Sequence, residues 1–339
     1  MILLTGASGF VGGHIAERLV AEGQRVRCLV RTSSETGRLE SLAADGDGPG
    51  VELVLGDLND AGSLARALDG VDAVVHSAAL VTDWATVEEI RAANVEGTRA
   101  LVTAAVRARV RRFVQISTTD VYGYPGGRLV SEEYVPSGFA NWYSQTKREA
   151  EAVLLDATDG TPTELVILRP ATIYGPRAPD IVGEIAKGLR QRYLPLIGGG
   201  NVNAGLIYVE NLADAVLAAM SDPRAAGQAF NVVDGLDVTW RQFIFDLARG
   251  VGAPPPLLRL RYRVAWKLGV GFEEGYRAVR KRTGLSAPPL LSRAAVQVMG
   301  RPQDFSNQKL RSTLGWEPRV GYADGLAATL AWLSEDYFG

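Results

Sequence analysis

Ile2-Leu3-Leu4-Thr5-Gly6-Ala7-Ser8-Gly9-Phe10-Val11-Gly12 is the stretch that decides the fold. Residues 2–5 are an apolar run of strand length, and residues 11–21 carry the apolar spacing of an amphipathic helix. Between them the glycines repeat as G-x-x-G-x-x-G. Glycine lets a backbone approach a pyrophosphate, and a helix N-terminus presents free N–H groups and positive potential. Gly6, Ser8, Gly9, Phe10, Val11 and Gly12 therefore read as a phosphate cradle of a dinucleotide site rather than a plain tight turn.

Outward from this loop, short apolar runs alternate with helical patterns. Strands are expected over 2–5, 25–30, 51–55, 73–76, 113–117, 164–169, 206–209 and 229–232. Helices are expected over 11–21, 63–68, 87–108, 142–156 and 212–220. This alternation predicts an α/β fold, a Rossmann-type doubly wound parallel sheet. After about Asp237 it stops, and Pro254-Pro255-Pro256 and Pro288-Pro289 punctuate helical segments. The expected division is a dinucleotide-binding domain, 1–177 and 204–235, and a smaller, mainly helical C-terminal substrate lobe, 178–203 and 236–339.

The composition narrows the chemistry. The 339 residues hold 36 Lys+Arg and 38 Asp+Glu, a net charge of −2 that argues against a general nucleic-acid binder. One cysteine, Cys28, permits no intrachain disulfide, and with two histidines a zinc or other metal site is not expected. Acid–base work then falls to Tyr, Lys or carboxylates. No basic leader precedes the first apolar run, and the apolar stretch 257–272 carries Arg259, Arg261, Arg263 and Lys267, too many cations for a membrane span. A cytoplasmic protein is the expectation.

Two more local features bear on the site. The second strand ends at Arg31, where a carboxylate would hold an NAD ribose; a cation there suits a 2′-phosphate and predicts NADP(H). NAD(H) stays open, since Arg31 reads equally as a solvated cation. Asp57-Leu58, after the third strand, stand where an adenine would lie, although a plain turn Asp fits as well. Tyr143 and Lys147, at i and i+4, share one helix face, and an ammonium beside a phenol favours proton exchange near neutral pH.

With these, His76-Ser77-Ala78-Ala79, Asn94-Val95-Glu96-Gly97-Thr98, Ser117-Thr118-Thr119-Asp120-Val121-Tyr122-Gly123, Arg169-Pro170-Ala171-Thr172 and Leu314-Gly315-Trp316-Glu317-Pro318 occur in order. As a set they resemble the extended short-chain dehydrogenase/reductase family, the NAD(P)-dependent epimerase/dehydratase group, over essentially the whole chain. The resemblance implies Tyr143 as general acid/base and Lys147 as its electrostatic partner and a ligand of the nicotinamide ribose. It implies Thr118 as the hydroxyl on the reacting oxygen, with Ser117 and Thr119 open as alternatives, and Asn94 as a support of the lysine or a water. Ser77, Ala78 and Ala79 would pass beside the cofactor, and Pro170 and Thr172 would flank its carboxamide. Family members are often dimers, so a homodimer is the implied assembly.

Within the family, two departures count against sugar-nucleotide work. Gly205-Leu206 replace the usual polar pair before Val209-Glu210-Asn211-Leu212, and after Thr118 only Asp120 is acidic. The stretch 76–84 and the C-terminal lobe resemble the hydroxysteroid dehydrogenase and dihydroflavonol reductase branch. The expected function is reversible, NADP(H)-dependent reduction of a ketone or aldehyde on an apolar or polycyclic small molecule. An NDP-sugar epimerase, dehydratase or ketoreductase is the alternative, and a non-catalytic NADP sensor stands further off. Asp83, Trp84, Asp120, Trp142 and Tyr193 are the substrate candidates, with capping or core roles as the alternative. Leu257, Leu258, Tyr262, Trp266, Leu268 and Phe272 are read as either a pocket wall or the core of the lobe.

Overall fold

The computed structural model describes residues 1–44, 46, 48–82, 85–139, 141–283 and 291–339. Its first half runs β1 (Ile2–Thr5), α1 (Phe10–Ala21), β2 (Arg25–Val30), α2 (Gly37–Glu40), β3 (Gly50–Leu55), α3 (Ala61–Ala67), β4 (Ala73–His76), α4 (Val87–Arg91), α5 (Gly97–Arg107), β5 (Arg112–Ile116) and α6 (Trp142–Thr158). It continues with β6 (Glu164–Pro170), β7 (Thr172–Tyr174), α7 (Glu184–Arg190), β8 (Leu196–Ile197), β9 (Leu206–Tyr208), α8 (Val209–Ser221) and β10 (Gln228–Val232). The remainder is α9 (Trp240–Gly250), β11 (Arg259–Leu260), α10 (Tyr262–Thr283), α11 (Arg293–Gly300), α12 (Gln308–Leu314) and α13 (Tyr322–Trp332).

Seven strands form one sheet in the order β10-β6-β5-β4-β1-β2-β3, and every pairing is parallel. The order reverses between β1 and β4, so a crevice opens at their carboxyl ends. Side chains alternate across the sheet as a pleat requires. Leu4, Val75, Val114 and Val166 face α1 and α8, while Leu3, Val74, Phe113 and Ile167 face α3, α5 and α6. Both faces are covered, which is why these strands read as continuous apolar runs.

Two sequence expectations need correction. Residues 206–209 do not add a strand to the main sheet; β9 pairs instead with β7, a three-residue strand set off from β6 only by Ala171. The helix expected over 87–108 is interrupted by a π-helical turn at Ala92–Glu96. Beyond β10 the chain is mainly helical. Its Trp240, Phe243, Leu247 and Leu333 share one core with Tyr174 of β7 and Tyr208 of β9.

Candidate active site

The crevice holds a cleft of about 690 Å³, bordered at one end by the glycine loop. Gly6 has φ +75, and a Cβ on it would lie 2.6 Å from the Ala78 nitrogen. A Cβ on Gly12 would lie 2.1 Å from the Gly6 oxygen. The loop can thus be this tight only with glycine at both places. No side chain caps the first turn of α1, and that turn holds no acidic residue. Its N–H groups are left for an anion. These features fit the pyrophosphate of a dinucleotide.

Arg31 and Ser34 border the same end, folded into one turn: the Ser34 hydroxyl accepts from the Arg31 amide at 3.0 Å. The Arg31 side chain is exposed. Asp57, Leu58, Asn59, Ser77, Ala78 and Ala79 line the same cleft. His76, at the end of β4, is fully buried between the Thr5 and Thr98 hydroxyls at 2.6 and 3.0 Å. Burial, with the Lys147 charge behind it, holds its pKa down at about 3, so it is a neutral strut under the loop. His14 is buried too, with Nε2 3.0 Å from the Pro176 carbonyl.

Thr118, Thr119, Asp120, Tyr143, Pro170 and Thr172 meet on the cleft wall beyond the glycine loop. Tyr143 enters from the first turn of α6, whose N-cap Asn141 accepts from the Ser144 amide. Lys147 lies one turn further on, buried behind the wall, and its Nζ donates to the Ile116 carbonyl at 2.7 Å. Burial lowers the ammonium to about 8, against the upward pull of Glu151. The Tyr143 phenol is pushed up, first by burial and then by the Asp120 charge. This is opposite to the downward shift the Tyr–Lys spacing predicts, because burial of the phenol disfavours its charged form and the Asp120 charge adds to that. Burial also raises Asp120 to about 6.

Asn94 sits within the π-helical turn. Its side chain accepts from the Leu80 amide at 2.7 Å and donates to the Leu80 carbonyl at 3.2 Å and the Thr146 hydroxyl at 3.4 Å. It therefore clamps the 80s loop to α6 and does not line the cleft. Below Lys147, Glu151 accepts from the Ser117 hydroxyl at 2.6 Å and from Arg169 at 2.9 and 2.7 Å. Arg169 in turn donates to the Tyr122 hydroxyl at 2.8 Å. This buried, fully bonded network locks the end of β5 to α6, and so fixes Thr118 relative to Tyr143.

The substrate candidates divide. Asp120 lines the cleft. Trp142 is exposed and lies off it, since Tyr143 takes the inward position and its neighbour is turned about 100° around the helix. Tyr193 is also off it: Arg192, at φ +60, turns the chain back so that the Tyr193 amide donates to the Gly188 carbonyl. Asp83 and Trp84 lie outside the described residues. The sequence reading missed Ile173, Ala178, Asp180, Ile181, Val298 and Gln303, which complete the cleft's far end. Of these only Asp180, a carboxylate beside a proline at a chain reversal, carried any local signal. Leu257, Leu258, Leu268 and Phe272 are neither pocket wall nor core; they are exposed.

This geometry has close relatives. The profile of the NAD dependent epimerase/dehydratase family matches residues 2–233. A 2-alkyl-3-oxoalkanoate reductase of Stenotrophomonas maltophilia is 30% identical, covering 96% of this chain and 97% of its own. A 3 beta-hydroxysteroid dehydrogenase/Delta 5-->4-isomerase of Mycobacterium tuberculosis is also 30% identical, covering 94% and 86%. Among solved structures, a dTDP-glucose 4,6-dehydratase from Streptomyces venezuelae with NAD bound superposes with a TM-score of 0.80 at 25% identity, covering 99% and 98%. The chain belongs to the NAD dependent epimerase/dehydratase family.

Proposed function

We propose that this protein is an NADP(H)-dependent reductase of a ketone or aldehyde on an apolar small molecule, working in reverse as an alcohol dehydrogenase. One observation carries the choice of substrate. The far end of the cleft is lined by Ile173, Ala178, Ile181 and Val298 with Asp180 and Gln303, and Arg31, at the opposite end, is the one Arg or Lys among the described lining residues. A sugar nucleotide brings a diphosphate that needs cations, whereas Asp120 and Asp180 add negative charge to this lining. The relatives named as an oxoalkanoate reductase and a hydroxysteroid dehydrogenase support the same reading.

The glycine loop and the first turn of α1 would hold the pyrophosphate, Arg31 with Ser34 the 2′-phosphate, and Asp57-Leu58 the adenine end. A bound nicotinamide supplies the hydride. Tyr143 keeps its proton at neutral pH, since burial and Asp120 both favour the neutral phenol, and it gives that proton to the carbonyl oxygen. Thr118 donates a second hydrogen bond to the same oxygen, so the two hydroxyls form a small oxyanion site. Lys147, charged below about pH 8, steadies the phenolate left behind. Residues 178–203 and 236–339 serve as the substrate lobe. Tyr143→Phe should lower kcat by roughly 10³-fold, the scale of general acid catalysis, with NADPH affinity unchanged within about twofold. Retained turnover in that variant would refute the assignment, and a lower KM for NADH than for NADPH would refute the role of Arg31.

A further inference from the structure

Most exposed large hydrophobic residues lie apart from one another along the chain, as at Leu55, Leu129 and Leu155, but six gather in one stretch. Leu257 and Leu258 precede α10, and Val264, Leu268, Phe272 and Val279 follow on it; all six are between 42% and 93% exposed. The four on α10 fall within an arc of about 80° at 100° per residue. The opposite face is fixed. Ala265 and Glu273 are buried, and the Glu273 carboxylate accepts from the Arg293 amide and guanidinium, both at 2.6 Å. The stripe therefore points outward by construction and is not the inner face of a loosely held helix.

The charge beside the stripe is one-sided. Over residues 257–276 the exposed ionisable side chains are Arg259, Arg261, Arg263, Lys267 and Glu274. Arg263 and Lys267 lie along one flank of the stripe, and Arg259 and Arg261 stand before its first turn. Four cations against one anion do not complement a second copy of the same face. They do complement a surface of anionic headgroups. An apolar stripe bordered by Lys and Arg is the pattern of a helix that lies in the membrane interface. Among the described residues no helix is long and apolar enough to cross a membrane.

We propose that α10, with Leu257-Leu258 ahead of it, docks this protein on the surface of an anionic phospholipid membrane. The site is coupled to the cleft through one helix. A Cβ on Gly300, at the end of α11, would lie 2.6 Å from the Tyr262 ring, and the Arg301 guanidinium stands 4.9 Å from that ring's centre. The same α11 contributes Val298 to the cleft wall. Docking thus holds the apolar end of the cleft one helix away from the lipid.

Vesicle flotation of the full chain tests this, using pure phosphatidylcholine beside phosphatidylcholine with roughly one-third phosphatidylglycerol. The protein should float with the anionic vesicles and not with the neutral ones. Leu268→Glu/Phe272→Glu and Arg263→Glu/Lys267→Glu should each weaken binding by about tenfold or more, with each cation contributing roughly fivefold. Equal NADPH binding by wild type and both variants shows that the variants are folded. Flotation with neither vesicle, or equal flotation with both, overturns the proposal. So does binding that neither variant weakens, or a dimer in sedimentation equilibrium that Leu268→Glu/Phe272→Glu splits.

Discussion

The two ends of the cleft are built on different principles. At the proposed cofactor end, backbone would do the recognition: three glycines, an uncapped helix terminus, and the ends of β1, β2 and β4, all within the first 79 residues. At the proposed substrate end, side chains would do it: Asp120, Tyr143, Ile173, Asp180, Ile181, Val298 and Gln303 converge from five separate stretches of chain. A backbone site tolerates almost no change at its glycines and is indifferent to what the far end binds. A side-chain site can be retuned one residue at a time.

Substitutions can break or sharpen that contrast. Gly12→Ala places a Cβ 2.1 Å from the Gly6 oxygen, so the loop must shift. A misplacement of that scale should raise the KM for NADPH by roughly 10²-fold while leaving the carbonyl KM near its original value. If both KM values rise together, the two ends are not independent. Arg31→Ser should cost NADPH about tenfold in kcat/KM, the worth of one charge-assisted contact, and leave NADH unchanged. At the other end, Val298→Ala should change kcat/KM for an apolar ketone by only about tenfold or less, and NADPH affinity not at all. Steady-state kinetics with each substrate varied in turn reads all three.

The same contrast explains what was legible in the sequence. The glycine loop and the strands of the main sheet follow from local spacing, and the pleat of Leu3 and Leu4, or Val74 and Val75, needs only alternation. Tyr143 and Lys147 are one helical turn apart and so are visible as a pair. The direction of the Tyr143 shift was not visible, because it depends first on how deeply the folded chain buries the phenol and then on the Asp120 charge near it. Asn94 was legible as a residue but not as a clamp, since the π-helical turn that aims it has no spacing signature. β7 was hidden because only Ala171 separates it from β6, so no turn signal marks where one strand ends and the next begins. Val298 and Gln303 reach the cleft from more than 100 residues beyond the rest of its wall, and nothing in their own neighbourhood marks them. The 257–272 stretch was correctly apolar, but spacing alone does not say whether such a helix faces inward or outward.

The central claim is that a dinucleotide site of this family has here been paired with an apolar, cation-poor substrate end. Its most direct test is NADPH oxidation measured side by side with apolar ketones, such as 3-oxosteroids and 2-alkyl-3-oxoalkanoates, and with UDP- and dTDP-linked keto sugars. The account predicts turnover of at least one apolar ketone, abolished by Tyr143→Phe, and none of the sugar nucleotides. Turnover of a sugar nucleotide with no apolar ketone accepted would contradict it.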